Sequence, residues 1–153
     1  MPRHPDNVKL AYFAGLFDGE GSITIRKPNG KNPRAHYLRV TIANSNPKPL
    51  KLIKKFFGGS LNKYIPKNGK QPSYILTLSC KKAHNFLEDI YPYLIIKRNI
   101  AWIAICFRKL IPRRGATRDK YGKMLRVSDE ELETREAVRL LIQKMNRRYG
   151  KYD

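Results

Sequence analysis

Carboxylates are scarce in this chain and absent from a long stretch of it. Across 153 residues, 12 Asp and Glu stand against 32 Lys and Arg, a formal net charge of +20. Between Gly21 and Leu87 there is no carboxylate at all, while fourteen Lys or Arg occur there. A solvated surface normally mixes both signs. The imbalance therefore points to a polyanion, and nucleic acid is the expected partner. Cysteine is nearly missing too. Cys80 and Cys106 lack any CxxC neighbour, which excludes a zinc finger and a disulfide framework. Both thiols are expected to be buried apolar residues. No apolar run approaches the ~20 residues that span a bilayer, and Met1 to Pro5 has none of the character of a signal segment. A soluble, intracellular protein is expected. An anionic membrane surface, the rival polyanion, calls for a basic amphipathic helix, and none is evident between Gly21 and Leu87.

Hydrophobic residues make up 41% of the chain, enough for a core, and the length suits one domain. Asp6 is a good N-cap, and the helix it opens carries Val8, Leu10, Ala11, Tyr12, Phe13, Ala14, Leu16 and Phe17. Apolar nearly all round, that helix should be buried between other elements or between subunits. After Gly21 the period becomes two. Ile23 and Ile25 alternate with Thr24 and Arg26, then Leu38, Val40 and Ile42 with Tyr37, Arg39 and Thr41. The turn residues Pro28 to Pro33 join them into a hairpin with one apolar and one basic, polar face. A short helix capped near Asn46 ends at Gly58-Gly59, and a second hairpin turns around Asn68-Gly69. Helices follow over about 81–90 and 97–110, and Ser128-Asp129-Glu130-Glu131 opens a last one as a capping box. Arg113 to Arg126 reads as an exposed basic loop. Trp102 and Phe107 read as core, and His84 as structural. The fold class is α+β in a single domain over 1–153, its core covering about 8–110.

The segment that carries chemistry is Phe13-Ala14-Gly15-Leu16-Phe17-Asp18-Gly19-Glu20-Gly21. Gly15 and Gly19 are spaced i, i+4, and each costs a helix up to about 1 kcal/mol against Ala. Close approach of two backbones is a sufficient reason for both. Ending the helix is the simpler reason for Gly19 and Gly21. Asp18 and Glu20 are the sole carboxylates between Asp6 and Glu88. Hard divalent cations at a phosphodiester need oxygen ligands, and these two residues are the nearby candidates.

This segment resembles the motif of the LAGLIDADG homing endonucleases. The order helix, hairpin, helix, hairpin, helices is similar to that family's αββαββα core. Gly21-Ser22-Ile23, and His84-Asn85-Phe86-Leu87 followed by Pro92, Leu94 and Lys97, are similar to its later parts. The resemblance implies a four-stranded antiparallel DNA-binding sheet followed by C-terminal helices. It implies a homodimer whose motif helices pack together, with Tyr12, Phe13, Gly15, Leu16 and Gly19 at the interface. It implies Mg²⁺ bound by Glu20 and the Gly19 carbonyl, with Mn²⁺ substituting and Ca²⁺ binding without efficient cleavage. Lys97, Asn46 and Lys51 are the implied supporting catalytic residues, whereas Asp18 is expected to cap or orient the end of a motif helix. The bland readings are an N-cap for Asn46 and a solvated helix start for Lys97.

The face opposite the aliphatic stripe, with Thr24, Arg26, Tyr37, Arg39, Thr41, Ser73, Ile75 and Thr77, is expected to read bases in the major groove. Lys48, Lys51, Lys54, Lys55, Lys81, Lys82 and the basic loop over 113–126 are expected to meet phosphates. The implied activity is intron-homing, site-specific cleavage of a long pseudo-palindromic duplex. An RNA maturase bound to intron RNA, or a non-cleaving DNA-binding protein, is the alternative on the same scaffold. The implied setting is an organelle (chloroplast or mitochondrion) or a prokaryotic cytoplasm.

Overall fold

The computed structural model describes residues 4–27, 36–111, 120–123 and 128–149. The turn segment Pro28 to Pro33 and most of the basic segment Arg113 to Arg126 lie outside them. Helix α1 (Asn7–Glu20) leads into strands β1 (Gly21–Arg26) and β2 (Tyr37–Asn44), then α2 (Pro47–Phe57). Strands β3 (Ser60–Tyr64) and β4 (Ser73–Ser79) precede α3 (Lys81–Ile90), a 3₁₀ turn at Tyr91–Tyr93, α4 (Arg98–Leu110) and α5 (Asp129–Tyr149). The four strands form one antiparallel sheet in the order β1-β2-β4-β3.

Local chemistry explains the boundaries. Asp6 accepts from the Lys9 backbone N–H at 2.9 Å and caps α1. Asn46 does the same for α2, accepting from Lys48 at 3.0 Å, with Pro47 in the first turn. Gly58 stops α2 at φ +75°, a conformation that suits glycine. Ser128 caps α5 by accepting from the Glu131 N–H at 3.2 Å, but Glu131 turns its carboxylate to Arg135. The capping box is thus half made.

Ile23, Ile25, Leu38, Val40, Ile42, Leu76 and Leu78 point to one side of the sheet and are buried under the helices. An aromatic chain ties the helical layer together. Phe13 meets Phe56 and Phe57 at ring distances of 6.3 and 6.4 Å, and Phe86 meets both Phe57 and Phe17 at 5.1 and 5.5 Å. Helix α5 covers the outer edge of β1, where Asn146 donates its side-chain amide to the Ile23 carbonyl at 2.8 Å. Nearby, Glu136 accepts from Arg139 and from the buried His36, and these bonds hold its carboxyl down at about 2.

Several expectations need correction. Cys80 is exposed, at φ +54° between β4 and α3, and Cys106 is half-buried. Phe107 is core, but Trp102 lies outside it, its ring tilted against Tyr91 at 5.6 Å on the outer side of α4. A basic amphipathic helix does exist between Gly21 and Leu87. It is α2, with Lys48, Lys51, Lys54 and Lys55 outward. Its apolar side, Leu50 and Ile53, is already buried in the core, so it has no free face for a membrane. Among the described residues no helix is long and apolar enough to cross a bilayer.

Candidate nucleic-acid interface and cleavage site

Helix α1 buries one side in its own subunit and leaves the other open. Leu10, Phe13, Ala14 and Phe17 are inside. Val8, Ala11, Tyr12, Gly15 and Gly19 face outward, with Leu16 half-buried beside them. Phe13, expected at the dimer interface, belongs to the core of its own chain. A Cβ added to Gly15 or Gly19 would meet nothing within 4 Å. The two glycines are therefore not needed by this subunit's packing, and they open a smooth apolar stripe on its surface. Gly21 differs. Its φ of −89° suits any residue, yet a Cβ there would sit 2.0 Å from a ring carbon of Phe17.

Glu20 is exposed at the last position of α1, immediately before β1. Asp18, two residues earlier, is almost fully buried and spoken for. One carboxylate oxygen accepts from the backbone N–H of Ile95 at 2.8 Å and of Ile96 at 3.1 Å, the other from Lys97 at 2.9 Å. Asp18 is expected to cap or orient the end of the motif helix; its carboxylate instead binds the N–H groups of residues 95–97, immediately before α4, and so ties the end of α1 to that loop. Lys97 completes the clasp by donating its ammonium to the Asp18 backbone carbonyl. The sequence pattern places Asp18 near Lys97 in no obvious way, because 79 positions separate them.

The register puts every expected base-reading residue on one face. Arg26 pairs with Tyr37, Thr24 with Arg39, and Thr41 with Thr77, while Ile75 and Ser73 continue the same face of β4. Ser22, Ala43, Ser60, Asn62, Tyr64 and Ser79 share that face and were not singled out from the sequence, although the period of two contains them. A groove of about 570 Å³ runs from Ser60, Thr77 and Ser79 to Lys81 and Lys82. Lys48, Lys51, Lys54, Lys81 and Lys82 are all exposed.

Asn46 stands at the end of the sheet where α1 enters, since Gly21 pairs with Ile42 and Asn46 follows shortly after, and Lys51 is exposed on α2, which Asn46 caps. The Asn46 side-chain oxygen is engaged in capping α2. The donor set suits a hard cation: a free carboxylate beside the carbonyl oxygens that any helix C-terminus leaves unpaired. Among the described residues no cluster of three or more metal-ligating side chains occurs.

The description LAGLIDADG endonuclease matches residues 13–106, more than half of the chain. The chain belongs to the LAGLIDADG endonuclease family. It is thereby a member of a family of DNA-cleaving nucleases. It is 30% identical to DNA endonuclease I-CreI of Chlamydomonas reinhardtii over 118 residues, covering 73% of this chain and 69% of that protein. Solved structures share its fold. Homing endonuclease I-CvuI, crystallised with I-CreI target DNA and Mg, aligns with a TM-score of 0.65 at 17% identity, over 90% of this chain and 82% of that one. The archaeal intron-encoded endonuclease I-Vdi141I, complexed with DNA, aligns with a TM-score of 0.64 at 17% identity, over 92% and 86%. A second I-CvuI complex was obtained with its own target and Ca.

Proposed function

We propose that this LAGLIDADG endonuclease is a homodimer that cuts both strands of a specific pseudo-palindromic duplex at a centre built from two copies of Glu20. The observation that carries this reading is the open stripe of α1, which is apolar, has no Cβ at its two closest-approach positions, and ends at an exposed carboxylate. Two such stripes packed together bring both Glu20 residues to one point, and the polar sheet faces to either side of it. Structures of relatives obtained with Mg, where the DNA was not cleaved, and with Ca support divalent-metal use; in this reading Mg²⁺ is the resident ion, Mn²⁺ substitutes, and Ca²⁺ binds without efficient cleavage.

Glu20 and the Gly19 carbonyl would hold the cation, which supplies Lewis-acid stabilisation and lowers the pKa of a bound water. The chain's own residues do the rest. Asp18 fixes the end of α1 against the start of α4, so the Glu20 backbone cannot drift as DNA bends over it. Lys97, tied to that same end, places a positive charge beside the carboxylate and toward the scissile phosphate. Asn46 and Lys51 form the polar rim at this end of the sheet and orient solvent. Lys48, Lys54, Lys81 and Lys82 contact phosphates and set register without reading sequence.

The test uses a duplex enriched by the purified protein from a random pool. Glu20→Gln keeps the shape and removes the charge that holds the cation and repels phosphates. It should bind that duplex as tightly as the parent or more tightly, and cut neither strand in Mg²⁺. Robust cutting by the variant would place the active centre elsewhere.

A further inference from the structure

Resting on the reading of the sheet as the DNA-reading surface, we infer that the target half-site is polarised, with two required guanines on its outer side and A·T pairs next to the cleavage centre. The register arranges the polar face in rungs. Starting from the end where Glu20 lies, they are Tyr64–Ser73, then Asn62–Ile75–Ala43, then Ser60–Thr77–Thr41–Ser22, then Ser79–Arg39–Thr24, then Tyr37–Arg26. Among these residues the only charged side chains are Arg39 and Arg26, and they occupy the two rungs farthest from Glu20.

The chemistry along the strands changes accordingly. Arginine reads guanine through a bidentate contact to O6 and N7, whereas alanine and other apolar groups meet the thymine methyl and asparagine matches adenine. The inner rung of Ala43, Ile75 and Asn62 therefore suits A·T pairs, and it lacks the bidentate pair of donors that guanine takes from arginine. Arg39 adds a second observation. It is half-buried against the sheet, and its Nε is covered and without a hydrogen-bond partner among the described residues. With Nε covered, the two terminal nitrogens are the donors left for a guanine. Same-face residues on a strand are about 7 Å apart, and the base pairs of B-DNA are about 3.4 Å apart. The two guanines should thus lie roughly two base pairs from each other, the farther one about six base pairs outside the position facing Ala43.

The experiment is selection from a random duplex pool by the full chain in EDTA, repeated with Arg26→Ala, Arg39→Ala and Ile75→Ala. The parent should enrich an inverted repeat with outer guanines at that spacing and A·T pairs inside. Each arginine variant should lose roughly tenfold of the preference at one guanine position only. Ile75→Ala should lose preference only at an inner thymine. An enriched repeat with its guanines on the inside overturns the inference and leaves the endonuclease reading intact. So does arginine substitution that weakens all duplexes alike, which would make both residues phosphate contacts. Enrichment of no sequence at all would instead remove the DNA-reading assignment on which the inference rests.

Discussion

Asp18 and Lys97 hold each other at both ends of their residues: the Asp18 carboxylate accepts the Lys97 backbone N–H, and the Lys97 ammonium donates to the Asp18 backbone carbonyl. This exchange joins the end of α1 to the start of α4, two residues before the exposed carboxylate of Glu20. It makes the Asp18 side chain a fastener and leaves Glu20, the proposed ligand, as the exposed carboxylate at this end of α1.

Asp18→Asn should therefore be costly even though no ligand is lost. The amide replaces one acceptor with a donor that faces a part-buried backbone N–H, a loss of about 1–3 kcal/mol. Thermal unfolding should show a clear drop in Tm. Cleavage in Mg²⁺ should fall at temperatures where the protein remains folded, because Glu20 is no longer held.

Gly15→Leu separates folding from association. Nothing lies within 4 Å of its Cβ position in the subunit, and leucine favours a helix over glycine. The variant should fold at least as stably as the parent and sediment as a monomer that makes no double-strand cuts. A stable dimer of Gly15→Leu would show that α1 is not the contact.

Gly21→Ala should do the opposite. Its Cβ would overlap the Phe17 ring at 2.0 Å, and Phe17 is locked against Phe86 in the core. Overpacking of this kind costs roughly 1–3 kcal/mol, so Tm should fall while any folded protein still dimerises.

Acid should loosen α5. The Arg139 guanidinium, and after it the hydrogen bond from His36, lower the Glu136 carboxyl from 4.5 to about 2. A carboxyl depressed in the folded state stabilises fully above its unfolded value and loses that contribution as pH falls through the folded one. Stability from this cluster should be complete at neutral pH and vanish between 4.5 and about 2. Glu136→Gln should unfold at lower temperature than the parent at pH 7, by about 1 kcal/mol for a partly exposed pair. The two curves should converge in strong acid.

Neutralising Lys54 or Lys82, each proposed to contact phosphate, should weaken specific and random duplexes alike. It should also reduce the slope of log K against log salt by about one.

Much of the fold is written locally. The caps at Asp6 and Asn46, the stop at Gly58 and the alternation in β1, β2 and β4 each depend on residues a few positions apart, and each stands where the residues indicate. The polar sheet face follows from the same period of two. Helix α1 has no such guide. Apolar on every side, it carries no periodic contrast to say which of Tyr12 and Phe13 turns inward, and Phe13 does because Phe56 and Phe57 wait there. Trp102 and Cys80 were misjudged for a related reason: residue type gives an average burial, and a particular surface need not obey it.

The sequence by itself determined the family, the elements, the caps and the facing of the strands, since all of these are encoded in neighbours along the chain. Tertiary structure alone decided that Asp18 ties α1 to the loop before α4 across 79 positions and that Glu136 answers His36 across 100. It also decided that Gly15 and Gly19 open outward instead of into the subunit. Those pairings depend on where packed layers bring distant segments together, and no local pattern records that distance.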